Sequence, residues 1–212
     1  MSAESELREA ICAHGRLLYG RGYCVGSAGN ISARLPGGGV LMTPTNSCLG
    51  RLDPGRISKL DAEWRHVDGD PPSKEVFMHR AVLRSRPEAG AVVHLHSTHA
   101  TAIACLAAPG ETAPIPPLTP YFVMRIGEAL PVLPYFRPGD PAMEPAIAAA
   151  ARGARAVLLA NHGPVVSGRS LDDAVYAAEE LEEAAKLALL LRDRSPRALT
   201  PEQVEALLRS FG

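Results

Sequence analysis

Residues 91–99 read AVVHLHSTH, which places three histidines within six residues directly behind an apolar run. The β-branched pair before the first histidine predicts a strand, and Ser97 is a suitable N-cap for a helix that follows it. Because side chains alternate along a strand, His94 and His96 are expected on one face and Leu95 on the other. Two imidazoles on one face are able to hold a metal ion, although such a pair also occurs as an ordinary polar strand face.

Further candidate ligands lie elsewhere in the chain. His99 falls in the predicted helix and is left out of the set, because its direction need not match that of the strand residues. His162 directly follows another apolar strand and precedes Gly163, which permits a sharp turn, although an exposed turn histidine also fits this position. Glu75 lies in the first turn of a predicted helix that Ser73 is expected to cap, where helix polarity also favours a carboxylate. Three imidazoles and one carboxylate suit Zn²⁺ with an open catalytic position, and Mn²⁺ or Co²⁺ accept the same ligands.

The composition indicates one globular domain over residues 1–212, with 46% hydrophobic and 21% charged residues. A net charge of -1 provides no broad positive field for nucleic acid or anionic lipid, and no apolar run approaches the roughly 20 residues of a membrane helix. The chain begins without the features of a secretion signal, so a cytoplasmic protein is expected. Four scattered cysteines form no CxxC pair and argue against a disulfide framework or a zinc knuckle.

Periodicity and turn signals predict interleaved helices and short strands. Helices are expected over 4–20, 73–86, 97–108, 141–152, 171–193 and from 200 onward. Strands are expected around 31–33, 40–42, 57–60, 64–67, 89–96, 122–124, 131–133 and within 155–163. Hairpins are too frequent for an all-parallel sheet. The predicted fold class is therefore α/β, in α/β/α layers, with a largely antiparallel central sheet covered by helices on both faces.

Together, these motifs resemble the class II aldolase and adducin-head family. The segments GSAGNIS, LMTPTN, PSKE, AVVHLHSTHATAIACL and LLANHGPVV occur in the family's order, followed by a long helix, and the resemblance covers nearly the whole chain. In that family, the positions that match Glu75, His94, His96 and His162 surround the metal. The resemblance also implies a homotetramer with active sites at subunit boundaries.

Within the family, the proline-rich segment PLTPYFVMRIGEALPVLPYFRPGDP is similar to the 3-oxo-tetronate 4-phosphate decarboxylases. This implies a metal-dependent carbon–carbon lyase that releases CO2 and dihydroxyacetone phosphate through a metal-stabilised enediolate. Glu75 is expected to complete the coordination or to transfer a proton, and Tyr121 matches a tyrosine that aldolases contribute across a subunit boundary as a proton donor. Two alternatives stay open: a fuculose-type aldolase that cleaves a ketose 1-phosphate, and a non-catalytic adducin-like interaction module.

The family's phosphate site carries over to Gly29, Asn30, Thr45, Asn46, Ser73 and Lys74. Backbone N–H groups of glycine turns, a helix N-terminus and polar side chains form a suitable pocket for the dianion of a phosphorylated sugar acid or sugar phosphate. Lys74 is expected to bind the phosphate or a substrate carboxylate, or to remain solvated. His79 lies one helical turn after Glu75 and either orients that carboxylate or is a structural histidine.

Overall fold

The computed structural model describes residues 2–211. The strands in this range are β1 (Asn30–Arg34), β2 (Val40–Met42), β3 (Ser58–Leu60), β4 (His66–Asp68), β5 (Ala91–His94), β6 (Val132–Leu133), β7 (Ala156–Leu159) and β8 (Gly163–Gly168). The helices are α1 (Ala3–Gly20), α2 (Val76–Ser85), α3 (Thr98–Leu106), α4 (Pro120–Arg125), α5 (Glu144–Ala151), α6 (Leu171–Leu191) and α7 (Pro201–Phe211), with three short 3-10 turns between them.

Across the described residues, the strands form one eight-stranded sheet in the order β4-β3-β2-β1-β5-β8-β7-β6. All neighbours are antiparallel except β6 and β7, which are parallel. The predicted hairpin of β1 and β2 is confirmed, with Ser32 opposite Met42 and a turn that Gly38 and Gly39 enter with positive φ. The largely antiparallel sheet is also confirmed.

Helices cover both faces of the sheet, as predicted. Successive residues of β5 point to opposite sides: Val93 packs with α1 and α6 residues such as Ile11 and Leu181, whereas Val92 packs with Met78 and other residues of α2 and α5. These side chains are fully buried, and each contributes about 1.5–3 kcal/mol of burial free energy. The same alternation turns His94 toward the α2 side.

Two predicted helix starts have the expected caps. The Thr200 hydroxyl accepts the N–H of Gln203 at 3.3 Å while the Gln203 side chain accepts the N–H of Thr200 at 2.9 Å, which is a complete capping box. Ser170 accepts the N–H of Asp173 at 3.1 Å and caps α6. Helix α2 begins later than expected, with Glu75 at the N-cap position, and Ser73 accepts the N–H of Glu75 at 3.3 Å.

The strand predicted around residues 122–124 is wrong, because this segment is part of helix α4. Thr119 caps the helix by accepting the N–H of Phe122, and Pro120 occupies its first turn, where the missing N–H costs no hydrogen bond. Strand β8 has no counterpart in the prediction, which ended the preceding apolar strand in a turn. No helix in the described part of the chain combines the length and apolar character needed to cross a membrane.

Candidate active site

Three imidazoles converge at one end of the central strands. The Nε2 atom of His96 lies 3.1 Å from Nε2 of His94 and 3.1 Å from Nε2 of His162, and one ring nitrogen from each residue lies within 4.8 Å of the other two. His94 is the last residue of β5, and His162 lies in the turn between β7 and β8. The antiparallel pairing of β5 with β8 therefore brings the two ligand candidates to the same sheet end.

Two glycines permit the close backbone approach at this end. A Cβ atom on Gly163, which has φ +153°, would lie 2.4 Å from the carbonyl oxygen of Leu95. A Cβ atom on Gly29, which has φ +82°, would lie 2.9 Å from the carbonyl oxygen of His94. Both distances are too short for any other residue without a backbone shift, so glycine at these positions allows the three imidazoles to meet.

The Glu75 carboxylate faces two of the three imidazoles. Its Oε2 atom lies 3.6 Å from Nε2 of His94, and its Oε1 atom lies 3.6 Å from Nε2 of His162. The side chain is buried, and Oε2 accepts a hydrogen bond of 2.8 Å from the Asn30 amide. The carboxylate thus closes one side of the histidine cluster.

The protonation of the cluster suits metal binding. Nδ1 of His94 donates to the carbonyl oxygen of Pro164 at 2.9 Å, which leaves the Nε2 lone pair directed at the cluster. Burial is the main cause that lowers the pKa values of His94, His96 and His162 below the ordinary 6.5, and the nearby imidazoles lower those of His94 and His96 further. Three neutral imidazoles beside a carboxylate fit a divalent cation by ligand type and by their spacing.

A cavity of about 530 Å³ opens beside these residues. Glu75, His96 and His162 line this cavity. The predicted phosphate-site residues also all line it, namely Gly29, Asn30, Thr45, Asn46, Ser73 and Lys74. Lys74 is exposed at its wall. Asn46 adopts φ +54°, a left-handed conformation that asparagine tolerates better than most residues.

Two other predicted positions lie outside this cavity. Tyr121 is on α4, 59% exposed, and does not line the cavity within the described residues. His99, which the sequence analysis left out of the ligand set, instead contacts Glu182: the carboxylate accepts from the His99 backbone N–H at 2.9 Å and lies 2.8 Å from its Nδ1. His99 therefore lies outside the group that His94, His96 and His162 form.

Sequence reasoning missed part of the cavity wall. Pro138 and Gly139 reach it from the segment between β6 and α5, and Val25, Ser27 and Ala28 reach it from the loop before β1. Of the second group, Ser27 and Ala28 belong to the glycine-containing stretch GSAGN and Val25 directly precedes it, so that stretch was a usable signal. The first group carries no chemical signature, since proline and glycine are ordinary turn residues in a proline-rich loop.

The comparisons with known proteins agree with this geometry. Residues 9–189 match the class II aldolase and adducin N-terminal domain. The chain is 50% identical over 204 residues to the 3-oxo-tetronate 4-phosphate decarboxylase of Escherichia coli K12, covering 96% of each chain, and 48% identical over 212 residues to that of Cupriavidus necator, covering 99% of this chain and 97% of the relative. The L-fuculose phosphate aldolase of E. coli K12 is 33% identical over 88% of this chain and 85% of its own.

Among solved structures, YgbL from E. coli superposes with a TM-score of 0.93 at 48% identity, covering 97% of this chain and 99% of its own. An L-fuculose 1-phosphate aldolase superposes with a TM-score of 0.87 at 28% identity, covering 100% and 97%. The match extends through the sheet, the flanking helices and the histidine-bearing segments. This chain belongs to the family of the class II aldolase and adducin N-terminal domain.

Proposed function

We propose that this protein is a divalent-metal-dependent lyase that decarboxylates a 3-oxo-tetronate 4-phosphate to dihydroxyacetone phosphate and CO2. The observation that carries the proposal is the convergence of His94, His96, His162 and Glu75 beside a cavity that is lined by anion-binding groups. The relatives at 50% and 48% identity that bear this activity in their names cover nearly the whole chain and support the same substrate class.

The three imidazoles and Glu75 are the groups that hold the ion. A bound divalent cation supplies Lewis-acid stabilisation of the negative charge that develops on substrate oxygens. Of the candidate ions, Zn²⁺ is our proposal, because zinc binds imidazole nitrogen and carboxylate oxygen and three imidazoles are a ligand set of catalytic zinc sites. Mn²⁺ and Co²⁺ bind the same ligand types.

The remaining residues bind the substrate and move its protons. Gly29, Asn46 and Ser73 offer backbone and side-chain donors to the phosphate, and Lys74 adds the positive charge that a substrate with both phosphate and carboxylate groups requires. When the C1–C2 bond breaks, its electron pair stays on the organic fragment and CO2 leaves. C2 then needs a proton, and Glu75 lies beside the cluster where that proton must arrive.

The assembly and location belong to the same proposal. We place the protein in a homotetramer, in which Tyr121 of one subunit reaches the site of its neighbour; its 59% exposure in the single chain supports this. Free cysteines suit the reducing cytoplasm, where we place the enzyme. One sheet that runs through the described residues supports a single domain.

The decisive experiment compares two reactions on one metal-loaded sample. Release of CO2 is measured from the two C2 epimers, 3-oxo-erythronate and 3-oxo-threonate 4-phosphate, beside aldehyde release from ketose 1-phosphates. We expect rapid CO2 release from at least one epimer, and none from a His94→Ala variant. Aldehyde release without CO2 release would identify a fuculose-type aldolase instead of a decarboxylase. If the protein retains no metal and catalyses neither reaction, the adducin-like interaction module is favoured.

A further inference from the structure

A chain of buried hydrogen bonds leads from the sheet interior to Glu75. The Ser32 hydroxyl lies 2.7 Å from Nδ1 of His79, and Nε2 of the same ring contacts Oδ1 of Asn30. The amide nitrogen of Asn30 then donates to Oε2 of Glu75 at 2.8 Å. Ser32 and His79 are fully buried, Asn30 is 5% exposed and Glu75 is 8% exposed.

The chemistry of the groups fixes the direction of every bond in this chain. Oδ1 of Asn30 only accepts, so Nε2 of His79 carries the ring proton and donates it. Nδ1 then has a lone pair and accepts from the Ser32 hydroxyl. Burial lowers the pKa of His79 to about 3, which keeps the ring neutral at neutral pH, so one ring nitrogen donates and the other accepts.

The Asn30 side chain is held at both ends, by the Glu75 carboxylate at its amide nitrogen and by the His79 ring at Oδ1. With Oδ1 bound to the imidazole N–H, the amide nitrogen must face Oε2 of Glu75. The opposite orientation would place an amide oxygen 2.8 Å from a carboxylate oxygen and an amide N–H against a ring N–H. The carboxylate, which only accepts, excludes the flipped amide, and the N–H of His79 holds the other end of the correctly oriented Asn30 side chain.

Both oxygens of the Glu75 carboxylate face the histidine cluster, and Asn30 holds one of them. Oε2 lies 3.6 Å from Nε2 of His94, while Oε1 faces Nε2 of His162 at the same distance. Rotation of the carboxylate would change both distances at once. The hydrogen bond from the backbone N–H of Glu75 to Ser73 does not restrain the Glu75 side chain. The hydrogen bond from Asn30 is the one that restrains rotation of the carboxylate.

We propose that His79 is a positioning residue that sets the orientation of the Glu75 carboxylate through Asn30. For catalysis the inference rests on the proposed function, since the relevant carboxylate is the one that binds the ion or transfers the proton. His79 lies four residues after Glu75, which is the N-cap of α2, and it acts on the carboxylate through Asn30 of β1 rather than by direct contact.

Two isosteric variants separate this role from simple packing. The amide of glutamine in His79→Gln reaches the position of Nε2 and keeps a donor for Asn30, whereas the amide of asparagine in His79→Asn ends near Nδ1 and leaves Oδ1 unbonded. We expect His79→Asn to lower kcat by about 10- to 100-fold with KM within twofold, the range typical of residues that orient ligands. His79→Gln should recover most of that loss.

The same variants are then combined with Glu75→Gln. If His79 acts through the carboxylate, His79→Asn changes neither kcat nor metal affinity by more than twofold in the Glu75→Gln background. Metal affinity is measured as the Zn²⁺ dissociation constant by competition with a chelating dye, so this arm needs no substrate. The metal-affinity measurement therefore tests the role of His79 even if the protein decarboxylates no 3-oxo-tetronate 4-phosphate and the proposed function fails.

A variant at Leu83, a buried residue of the same helix, controls for lost stability. Leu83→Ala should lower the melting temperature without changing kcat, metal affinity or the effect of Glu75→Gln. The proposal is overturned if His79→Asn leaves both kcat and metal affinity within twofold of the unmodified protein. It is equally overturned if the effects of His79→Asn persist undiminished beside Glu75→Gln.

Discussion

The Nε2 atoms of His96 and His162 lie 3.1 Å apart, although 66 residues separate the two in the chain. Two neutral imidazoles with lone pairs on these atoms repel each other at this distance unless a proton or a cation lies between them. The third Nε2 atom, of His94, lies equally close to His96. A cation bound by all three nitrogen atoms would remove this repulsion, which makes metal binding the property to test first.

Replacement of His94 by alanine should remove bound metal and activity while the fold persists. The side chain supplies one of three clustered nitrogens, and its loss should cost more than the roughly 100-fold typical of groups that only orient ligands. Metal content by elemental analysis and kcat/KM are the measurements. His66→Ala, on the exposed edge strand β4, is the matched control. Full metal content with normal turnover in His94→Ala would remove this residue from the ligand set.

Removal of the metal by a chelator should lower the melting temperature. An ion that binds only the folded chain stabilises it by about 2.7 kcal/mol when its free concentration is 100 times the dissociation constant. Addition of Zn²⁺, Mn²⁺ or Co²⁺ to the stripped protein, at equal free concentrations, should restore the stability in the order of their affinities. Calorimetry on the three reloaded samples ranks them. A melting temperature that is indifferent to chelation and reloading would contradict the presence of a metal site.

Replacement of Lys74 by methionine should weaken substrate binding. Loss of one charged contact is expected to raise KM about tenfold, equivalent to about 1.4 kcal/mol, with metal content unchanged. Inhibition by dihydroxyacetone phosphate distinguishes the two possible partners of Lys74. The inhibition constant rises with KM if the lysine binds phosphate and stays constant if it binds the carboxylate that leaves as CO2. Lys186→Met, on α6 beside Glu183, is the control, and an unchanged KM in Lys74→Met would exclude both roles.

The ion pair between Arg80 and Glu144 should make stability depend on acid pH. Its two contacts, 2.8 and 2.6 Å, connect α2 with α5, and the hydrogen bond from Arg80 is the main cause that holds the pKa of Glu144 below its ordinary 4.5. A carboxylate with a lowered folded-state pKa stabilises above its unfolded pKa, and this stabilisation disappears as pH falls through the folded value.

The measurement is the free energy of unfolding of the unmodified protein and of Glu144→Gln across the acid range. The difference between them should be largest above about pH 5 and should shrink as the pH falls below the ordinary value. Glu111→Gln, an exposed substitution, supplies the baseline. A difference that stays constant with pH would mean that the carboxylate contributes through packing alone.

Tyr121 should complete the active site of a neighbouring subunit. Hybrids of Tyr121→Phe and His94→Ala subunits, co-expressed with different tags, are expected to recover activity, because some sites in the hybrid receive an intact tyrosine and an intact metal cluster. His94→Ala with His162→Ala is the matched pair that should not complement, since both changes fall in the same cluster. Inactive hybrids of the first pair, with light scattering that shows a tetramer, would refute a shared site.

Local signals in the sequence were sufficient wherever a structure depends on near neighbours. The turn at Gly38 and Gly39 predicts the first hairpin, and the capping residues Ser170 and Thr200 predict the starts of α6 and α7. The segment around Phe122 failed because its aromatic and β-branched residues favour a strand, whereas the cap at Thr119 favours a helix.

Strand β8 shows where local patterns stop being informative. Its sequence, GPVVSG, has a proline and two glycines in six residues and little alternation, so it carries no strand signal. Its pairing with β5 and β7 supplies the structure instead, and the residues of β5 are distant from it in the chain. That pairing brings the turn at His162 beside His94.

The composition of the ligand set was readable from the chain, because imidazole pairs, a glycine beside a histidine and a carboxylate at a helix start are local patterns. Their convergence was not readable, since it depends on backbone pairing and on a close backbone approach at Gly163 and Gly29, where an added Cβ atom would lie 2.4 and 2.9 Å from a carbonyl oxygen. The hydrogen-bond chain from His79 through Asn30 to Glu75 was likewise not readable from the sequence. It joins a helix to a strand through buried polar atoms, whose positions and directions of donation are defined only when the two elements pack together.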